Sequence, residues 1–208
     1  MIFLKTLIID CTRNKNVEEL ANAISLFSRY SVARFEEVSQ DYKPDQTFDA
    51  VVISGSGYRS VDAKDRDKFK FVLSLVRQSR IPTLGVCFGH QLMGYAYNAK
   101  LSTLENPVYD KFERVRIIEA DELFDGYESG DYIPLAQNHN DYVKKVGLSE
   151  VGFKLLADSQ SCEVEAMKHI SKPLYGVQFH PEKIKIEQEE HRDGLRIFEN
   201  FYKLVVRR

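Results

Sequence analysis

Short, continuous apolar runs alternate along the first half of the chain with longer segments whose apolar residues recur at helical spacing. The short runs predict buried strands, namely Phe3–Ile9, Val32–Glu36, Ala50–Ile53 and Ile81–Val86. The periodic segments predict amphipathic helices, namely Val17–Tyr30, Ala63–Arg77 and a third beginning at Gly89. Alternation of strands and helices favours an α/β fold, with a doubly wound and mainly parallel sheet flanked by helices.

The pattern changes between Leu101 and Phe179, where several short strands follow one another and an additional antiparallel section is expected. The strands predicted there are Arg114–Ile118, Tyr142–Val146, Phe153–Ala157, Val164–Lys168 and Pro173–Phe179. A final helix is predicted near Gln188–Val206, with the charged run 187–190 as its solvated first turn. Residues 1–208 contain no repeat or low-complexity linker and are expected to form one domain.

Cys87 lies between Gly85 and Gly89, where a predicted strand gives way to a predicted helix. A Gly-x-Cys-x-Gly frame at such a turn is typical of a nucleophile elbow, whose small flanking residues leave the nucleophile exposed. The positive end of a helix also favours thiolate over thiol. Taken alone, the frame fits a buried core cysteine equally well.

A second segment, Gly176–Glu182, carries a histidine and a carboxylate two residues apart. Pro181 biases His180 toward extended backbone, and residues i and i+2 of an extended chain project to the same side. Glu182 can therefore orient His180 and leave its other ring nitrogen for Cys87. A surface-loop histidine is the alternative for His180 considered by itself.

An oxyanion formed at Cys87 needs preorganised N–H donors. The backbone amide of Phe88, directly after Cys87, is one candidate. The apolar run ending at Ile53 leads into the turn Ser54-Gly55-Ser56-Gly57, where the amide of Ser56 is the second candidate. A glycine turn without a catalytic role is the other interpretation of this segment.

These three motifs resemble those of the class I, or triad, glutamine amidotransferases, and the resemblance covers essentially the whole chain in the expected order. It implies a flavodoxin-like fold and a glutaminase in which Cys87 forms a glutamyl thioester. His180 would then be the general base and acid, and Glu182 would orient it.

The same resemblance implies residues that hold the substrate. Gly55 and Gln91 match family positions at the substrate, and Asn138 and Asn140 match positions that contact its α-amino and α-carboxylate groups. His139 and Asp141 are similar to the His-x-Asp of the glutaminase in guanosine monophosphate (GMP) synthase. The polar segment 136–143 is also open to interpretation as a hairpin turn, because Asn and Asp favour turns.

The resemblance implies two partners, which are L-glutamine and a separate ATP-dependent synthetase of the GMP synthase type that uses the ammonia. Three positions depart from the usual pattern: Ser56 and Gly57 replace the Gly-Pro of the oxyanion loop, and Lys183 follows the triad glutamate. The segment 184–192 fits no subgroup. Two other functions therefore remain open, a stand-alone γ-glutamyl peptide hydrolase and a non-catalytic, glutamine-binding regulatory protein.

Composition narrows the class of protein without defining its chemistry. The net charge of −2 gives no basis for nucleic-acid binding, and no apolar stretch is long enough for a membrane span. Residues 1–9 are expected to be a first strand rather than a signal peptide. Cys11, Cys87 and Cys162 have no metal-ligand spacing, so neither a metal nor a cofactor is expected, and a reducing cytoplasm is the expected location.

Overall fold

The computed structural model describes residues 4–206. Its strands are β1 (Lys5–Asp10), β2 (Arg29–Arg34), β3 (Ala50–Ile53), β4 (Thr83–Val86), β5 (Leu101–Ile117), β6 (Tyr132–Val143), β7 (Phe153–Asp158), β8 (Ala166–His169), β9 (Leu174–Val177), β10 (Lys185–Ile186) and β11 (Glu189–Glu190). Its helices are α1 (Glu18–Ser25), α2 (Ala63–Asp67), α3 (Lys70–Gln78), α4 (Phe88–Ala96) and α5 (Asp193–Asn200), which a π-helical segment, Phe201–Val206, continues.

Nine strands form one mixed sheet in the order β2-β1-β3-β4-β9-β8-β7-β5-β6. The strands from β2 to β9 in this order pair in parallel, and those from β9 to β6 pair antiparallel. The predicted α/β fold class with an added antiparallel section is therefore confirmed. The antiparallel section is larger than the sequence pattern indicates, because β5 and β6 are 17 and 12 residues long.

Helices cover both faces of the sheet, and alternation along each strand divides the core between them. In β3, Val52 packs with residues of α1 and α5 on one face. Its neighbours Val51 and Ile53 pack with α3 and α4 on the other. Both faces of a parallel sheet are buried in this way, which explains why its strands appear in the sequence as continuous apolar runs.

The strand register brings three separate segments to one edge of the sheet. Ile53 at the end of β3 pairs with Gly85 of β4, and Val86 at the end of β4 pairs with Val177 at the end of β9. The residues that follow these strand ends therefore meet at the carboxyl edge of the parallel section. Ligands bind at this edge in open α/β sheets.

Several predicted boundaries are wrong in the first half of the chain. The helix predicted over Val17–Tyr30 ends at Ser25, and β2 begins at Arg29 rather than at Val32. The helix predicted over Ala63–Arg77 is divided into α2 and α3. Within residues 4–206, no helix has the length and apolar character needed to cross a membrane.

The prediction that 187–190 opens the last helix is wrong. Strands β10 and β11 pair through Ile186 and Glu189, and Glu187 adopts a φ of 52° in the turn between them. Helix α5 begins later, where Gly194 packs directly against Pro181. A Cβ atom on Gly194 would lie 2.3 Å from the Pro181 carbonyl oxygen, so this close approach requires glycine.

The interpretation of segment 136–143 as a hairpin turn is wrong, because these residues lie within a strand. The segment forms most of β6 and pairs with β5, which shifts register on both sides of Val108. Such irregularities are common next to functional sites, where they redirect side chains.

Candidate active site

Cys87 is held in a sharp turn between β4 and α4, with φ of 50° and ψ of −104°. A positive φ is uncommon for a residue with a side chain and often marks a functional site. The surrounding backbone fixes it: the Cys87 amide donates to the Val177 carbonyl at 2.8 Å, and its carbonyl accepts from the Gln91 amide at 3.1 Å. The predicted strand-to-helix turn is therefore present.

The two flanking glycines are required for packing rather than for backbone freedom at the turn itself. A Cβ atom on Gly85 would lie 2.6 Å from the Gly89 carbonyl oxygen, and one on Gly89 would lie 2.3 Å from the Ile53 carbonyl oxygen. They let the first turn of α4 sit directly on β3 and β4. The Gly-x-Cys-x-Gly frame is explained by this close approach.

The expected exposure of the Cys87 side chain is wrong, since only 4% of the residue is accessible. It instead lines two cavities of about 710 Å³ and 150 Å³. The large cavity also contacts Gly55, His180 and Glu182. The small cavity contacts the strand segment Asn138–Asp141. These cavities give a substrate access to the sulfur.

His180 and Glu182 meet as the sequence predicts, with Nδ1 of His180 2.8 Å from Oε1 of Glu182. The His180 amide donates to the Ala136 carbonyl at 2.8 Å, which ties this loop to β6. Because Nδ1 faces the carboxylate, Nε2 is the ring nitrogen left for chemistry.

The Cys87 and His180 side chains converge at Gly55. A Cβ atom on Gly55 would lie 3.0 Å from Cε1 of His180 and 3.6 Å from Cβ of Cys87. Burial lowers the pKa of His180, but the charges of Glu182 and of the Cys87 thiolate outweigh it and raise that pKa well above its usual value. An imidazolium is therefore stabilised beside the sulfur at neutral pH.

The loop after β3 is fixed by its two serine side chains. Oγ of Ser54 accepts from the Cys11 amide at 2.9 Å and donates to the Gly55 carbonyl. Oγ of Ser56 donates to the Cys11 carbonyl at 2.7 Å and accepts from the Tyr58 amide at 3.1 Å. Serine at position 56, a departure from the usual glycine, thus anchors this loop to the end of β1.

The two predicted oxyanion donors belong to residues close to Cys87, one beside the same cavities and one next to it in the chain. Ser56 lines both cavities beside Cys87. The Phe88 amide is the first of helix α4, and the first N–H groups of a helix have no acceptor within that helix. Their role as donors stays a prediction.

The loop between β1 and α1 is a part of the site that the sequence analysis missed. Residues Thr12–Val17 of this loop, apart from Lys15, line the large cavity together with Glu18–Leu20 at the start of α1. Asp10, which is 2% exposed, holds the start of this loop by accepting from the Thr12 amide and from Nη1 of Arg34, both at 2.8 Å. The available indication of this role was the position of the loop, because β1 ends at the same edge of the sheet as β3 and β4.

The sequence of this chain is similar to those of known proteins. The family model for class I glutamine amidotransferases matches residues 7–203. This chain belongs to that family. A subunit of the glutamine-hydrolyzing GMP synthase of Methanothermobacter thermautotrophicus is 42% identical over 127 residues, 61% of this chain and 62% of that relative. The corresponding protein of Sulfolobus acidocaldarius, which carries the same name, is 32% identical over 157 residues, 76% of this chain and 77% of the relative.

A solved structure supports the fold of this chain. A crystal structure from Thermoplasma acidophilum, described as that of a putative GMP synthase subunit, superposes with a TM-score of 0.81. It covers 97% of this chain and 94% of that one at 24% sequence identity. The likeness extends across both the parallel and the antiparallel sections of the sheet.

The predicted substrate-binding residues of this chain divide between its two cavities. Gly55 lines the large one. Those lining the small one are Gln91, Asn138, His139, Asn140 and Asp141, of which Asn138 lines both. Gln91 is 3% exposed, and its Nε2 donates to the Asp141 carbonyl at 2.6 Å and to Oε1 of Gln178 at 3.1 Å. These positions support the substrate-binding roles, which stay predictions.

The Asp141 carboxylate is engaged by protein donors. Arg59 donates to it through Nε, 3.0 Å from each oxygen, and through Nη2, 2.6 Å from Oδ1. Ser60, Val61 and Thr103 donate as well. The sequence analysis did not identify Arg59, because no local pattern connects it to Asp141, 82 positions later.

One group of the described residues has metal-ligand chemistry: atoms of His139, Cys162 and Glu165 lie within 4.8 Å of one another. Burial raises the pKa of the Cys162 thiol, and burial raises the pKa of Glu165 to about 8. Oε1 of Glu165 accepts hydrogen bonds from Ser159 at 2.7 Å and from Gln137 at 3.0 Å, and both favour the carboxylate against the effect of burial.

Proposed function

We propose that this chain is a glutaminase that hydrolyses L-glutamine through a Cys87 thioester and supplies ammonia to a separate synthetase. The observation that carries the proposal is the convergence of Cys87 and His180 at Gly55, with Glu182 2.8 Å from His180. A nucleophile, a base and an orienting acid in this arrangement are suited to acyl transfer from an amide.

The first half of the reaction follows from the charges at the site. The Cys87 thiolate attacks the amide carbon of glutamine, and the Ser56 and Phe88 amides stabilise the resulting oxyanion. His180 transfers its Nε2 proton to the leaving nitrogen, so that the C–N bond breaks and ammonia departs. A glutamyl thioester on Cys87 and a neutral His180 remain.

The second half regenerates the enzyme. Neutral His180 removes a proton from water, and the resulting hydroxide attacks the thioester carbon. Cleavage of the C–S bond leaves a thiolate and an imidazolium and releases the γ-carboxylic acid, which passes its proton to the ammonia or to water and becomes glutamate. The sum is glutamine plus water giving glutamate plus ammonia, and Glu182 stabilises the imidazolium at both stages where it occurs.

The synthetase is proposed to be of the GMP synthase type and to use ATP. The support comes from relatives whose names describe one subunit of a glutamine-hydrolyzing GMP synthase. The nine-stranded sheet, which takes in strands from β1 to β9, supports one domain for the residues that the structure describes. Its three free cysteines are consistent with the predicted cytoplasmic location.

The test is to measure glutamate release with and without the GMP synthase-type synthetase of the same organism. We expect the partner to raise glutaminase turnover, and Cys87→Ala to abolish turnover while leaving the unfolding curve unchanged. Intact-mass analysis of the wild-type protein mixed with glutamine should detect an adduct of glutamyl mass on Cys87. A folded protein that releases no glutamate under either condition would refute the proposal.

A stand-alone γ-glutamyl peptide hydrolase remains the second candidate, because the 710 Å³ cavity beside Cys87 and His180 has room for a leaving group larger than ammonia. The same assay separates the two. Steady hydrolysis of γ-glutamyl peptides by the isolated chain, with slower hydrolysis of glutamine, would favour this alternative.

A further inference from the structure

Arg59 and Asp141 form an ion pair in the wall of the small cavity that Cys87 also lines. The carboxylate is the buried member: the Asp141 side chain is 3% exposed, whereas that of Arg59 is 41% exposed. The guanidinium is therefore fixed on one side by the buried Asp141 carboxylate and remains accessible on its other side. Paired in this way, a cation can stay in a partly desolvated position.

Counting donors shows which part of the guanidinium is free. Arginine has five N–H groups. Nε and Nη2 together carry three of them, which face Asp141 and Oγ1 of Thr103, the latter at 3.0 Å. The two N–H groups of Nη1 have no acceptor among the residues that the structure describes. Nη1 is therefore the part of Arg59 available to a ligand.

The accessible charge in the wall of the small cavity is positive. Of the described residues that line it, Arg59 is the one cation, because burial lowers the pKa of His139 to about 4 and leaves that ring neutral. Asp141 is the one carboxylate among the described residues of this wall. The Asp141 carboxylate is buried and already accepts from protein donors, so the charge that this wall presents to a ligand is the Arg59 guanidinium, which suits the α-carboxylate of an amino acid.

We propose that Nη1 of Arg59 binds the α-carboxylate of the substrate and selects γ-amides that carry this group. Asp141 is then a positioning residue that holds the guanidinium in place. The inference rests on the proposed glutaminase function and adds the residue that recognises the main chain of the substrate. Arg59 thereby separates free glutamine from uncharged or decarboxylated amides.

If Arg59 had a purely structural role, its replacement would affect the hydrolysis of substrates differently. Through Asp141 and Thr103 the guanidinium links the loop after β3 to β5 and β6. Loss of such a link would slow the hydrolysis of every substrate by the same factor. Loss of a carboxylate-binding group would slow only substrates that carry a carboxylate.

The experiment compares kcat/KM for two amides in the presence of the synthetase. One amide, L-glutamine, carries the α-carboxylate, and 4-aminobutanamide is the same molecule without it. For Arg59→Gln we expect kcat/KM for glutamine to fall roughly 10- to 100-fold, mostly through KM, because a charge-assisted hydrogen bond is lost. The value for 4-aminobutanamide should change by less than about threefold.

Arg66→Gln is the matched control. Arg66 donates to the Ser60 carbonyl at 2.7 Å, so it also supports this loop, but it lines neither cavity. It should leave the ratio of the two kcat/KM values unchanged. If Arg59→Gln fails to fold, Arg59→Lys provides the test. Lysine keeps the positive charge but lacks the planar guanidinium with its several N–H donors, so the preference for glutamine over 4-aminobutanamide should fall several-fold.

Two results would overturn the inference. An equal loss for both amides in Arg59→Gln, or an unchanged preference in Arg59→Lys when Arg59→Gln does not fold, would show that Arg59 is structural. In either case glutamine turnover by the wild-type protein would leave the glutaminase proposal standing. Absence of that turnover would overturn both together.

Discussion

Gly55 offers a sensitive test of the geometry between Cys87 and His180. A Cβ atom there would lie 3.0 Å from Cε1 of His180, whereas ordinary contacts begin at 3.4 Å, so Gly55→Ala must displace the ring by about 0.4 Å. A displacement of about 1 Å can cost about 100-fold in rate. On the same scale, 0.4 Å corresponds to a loss in kcat of roughly five- to tenfold. The free energy of unfolding should fall by about 1 kcal/mol at most, as expected for mild overpacking.

Gly57→Ala is the control, because the nearest atom to its added Cβ would be Cδ of Arg13 at 3.7 Å, an ordinary contact. The assay is glutamate release at saturating glutamine, together with urea unfolding of both variants. We expect Gly57→Ala to retain nearly full kcat. If Gly55→Ala folds and keeps wild-type kcat, or if both variants lose the same fraction, the inferred convergence at Gly55 is wrong.

Three further substitutions test other parts of the molecule. Glu182→Gln should lower kcat/KM about 100-fold and shift its pH profile, because His180 loses the charge that raises its pKa. Gly89→Ala should lower the free energy of unfolding by more than about 3 kcal/mol, because its Cβ would lie 2.3 Å from the Ile53 carbonyl oxygen. Glu165→Gln should reduce the decline in the free energy of unfolding between pH 5 and pH 8. The pKa of Glu165 is raised to about 8, so the folded protein binds the proton more tightly than the unfolded chain, and wild-type stability declines across this interval.

Each of these has a result that would contradict it. An unchanged pH profile in Glu182→Gln would show that the carboxylate does not control His180. Gly94→Ala, in the same helix, is the comparison for Gly89→Ala, because its Cβ would lie 3.0 Å from Cγ2 of Val143, a side-chain atom. If both variants lose the same free energy of unfolding, the backbone clash at Gly89 is not the cause. Denaturant unfolding from pH 5 to pH 8 tests the Glu165 prediction. If the free energy of unfolding changes equally in Glu165→Gln and in the wild-type protein, the buried carboxyl is not the cause of the decline.

Some interactions could not be inferred from the sequence, because nothing local constrains them. The pairing of Arg59 with Asp141 crosses 82 positions and depends on how β6 lies against the loop after β3. The loop after β1 enters the site for a similar reason, the order of strands in the sheet. The hairpin 185–190 could not be recognised because its charged residues suit an exposed helix as well as an exposed turn.

The sequence by itself determined the three catalytic motifs and the alternation of strands and helices. Both are local: apolar periodicity reports the face that each element buries, and a Gly-x-Cys-x-Gly frame between strand and helix marks a sharp turn. Only the tertiary structure decided that Cys87 is buried between two cavities, that His180 meets it at Gly55, and that Arg59 faces the smaller cavity. The physical reason is that strand register and order place distant residues together, and these are fixed by packing across the whole sheet rather than by any short segment.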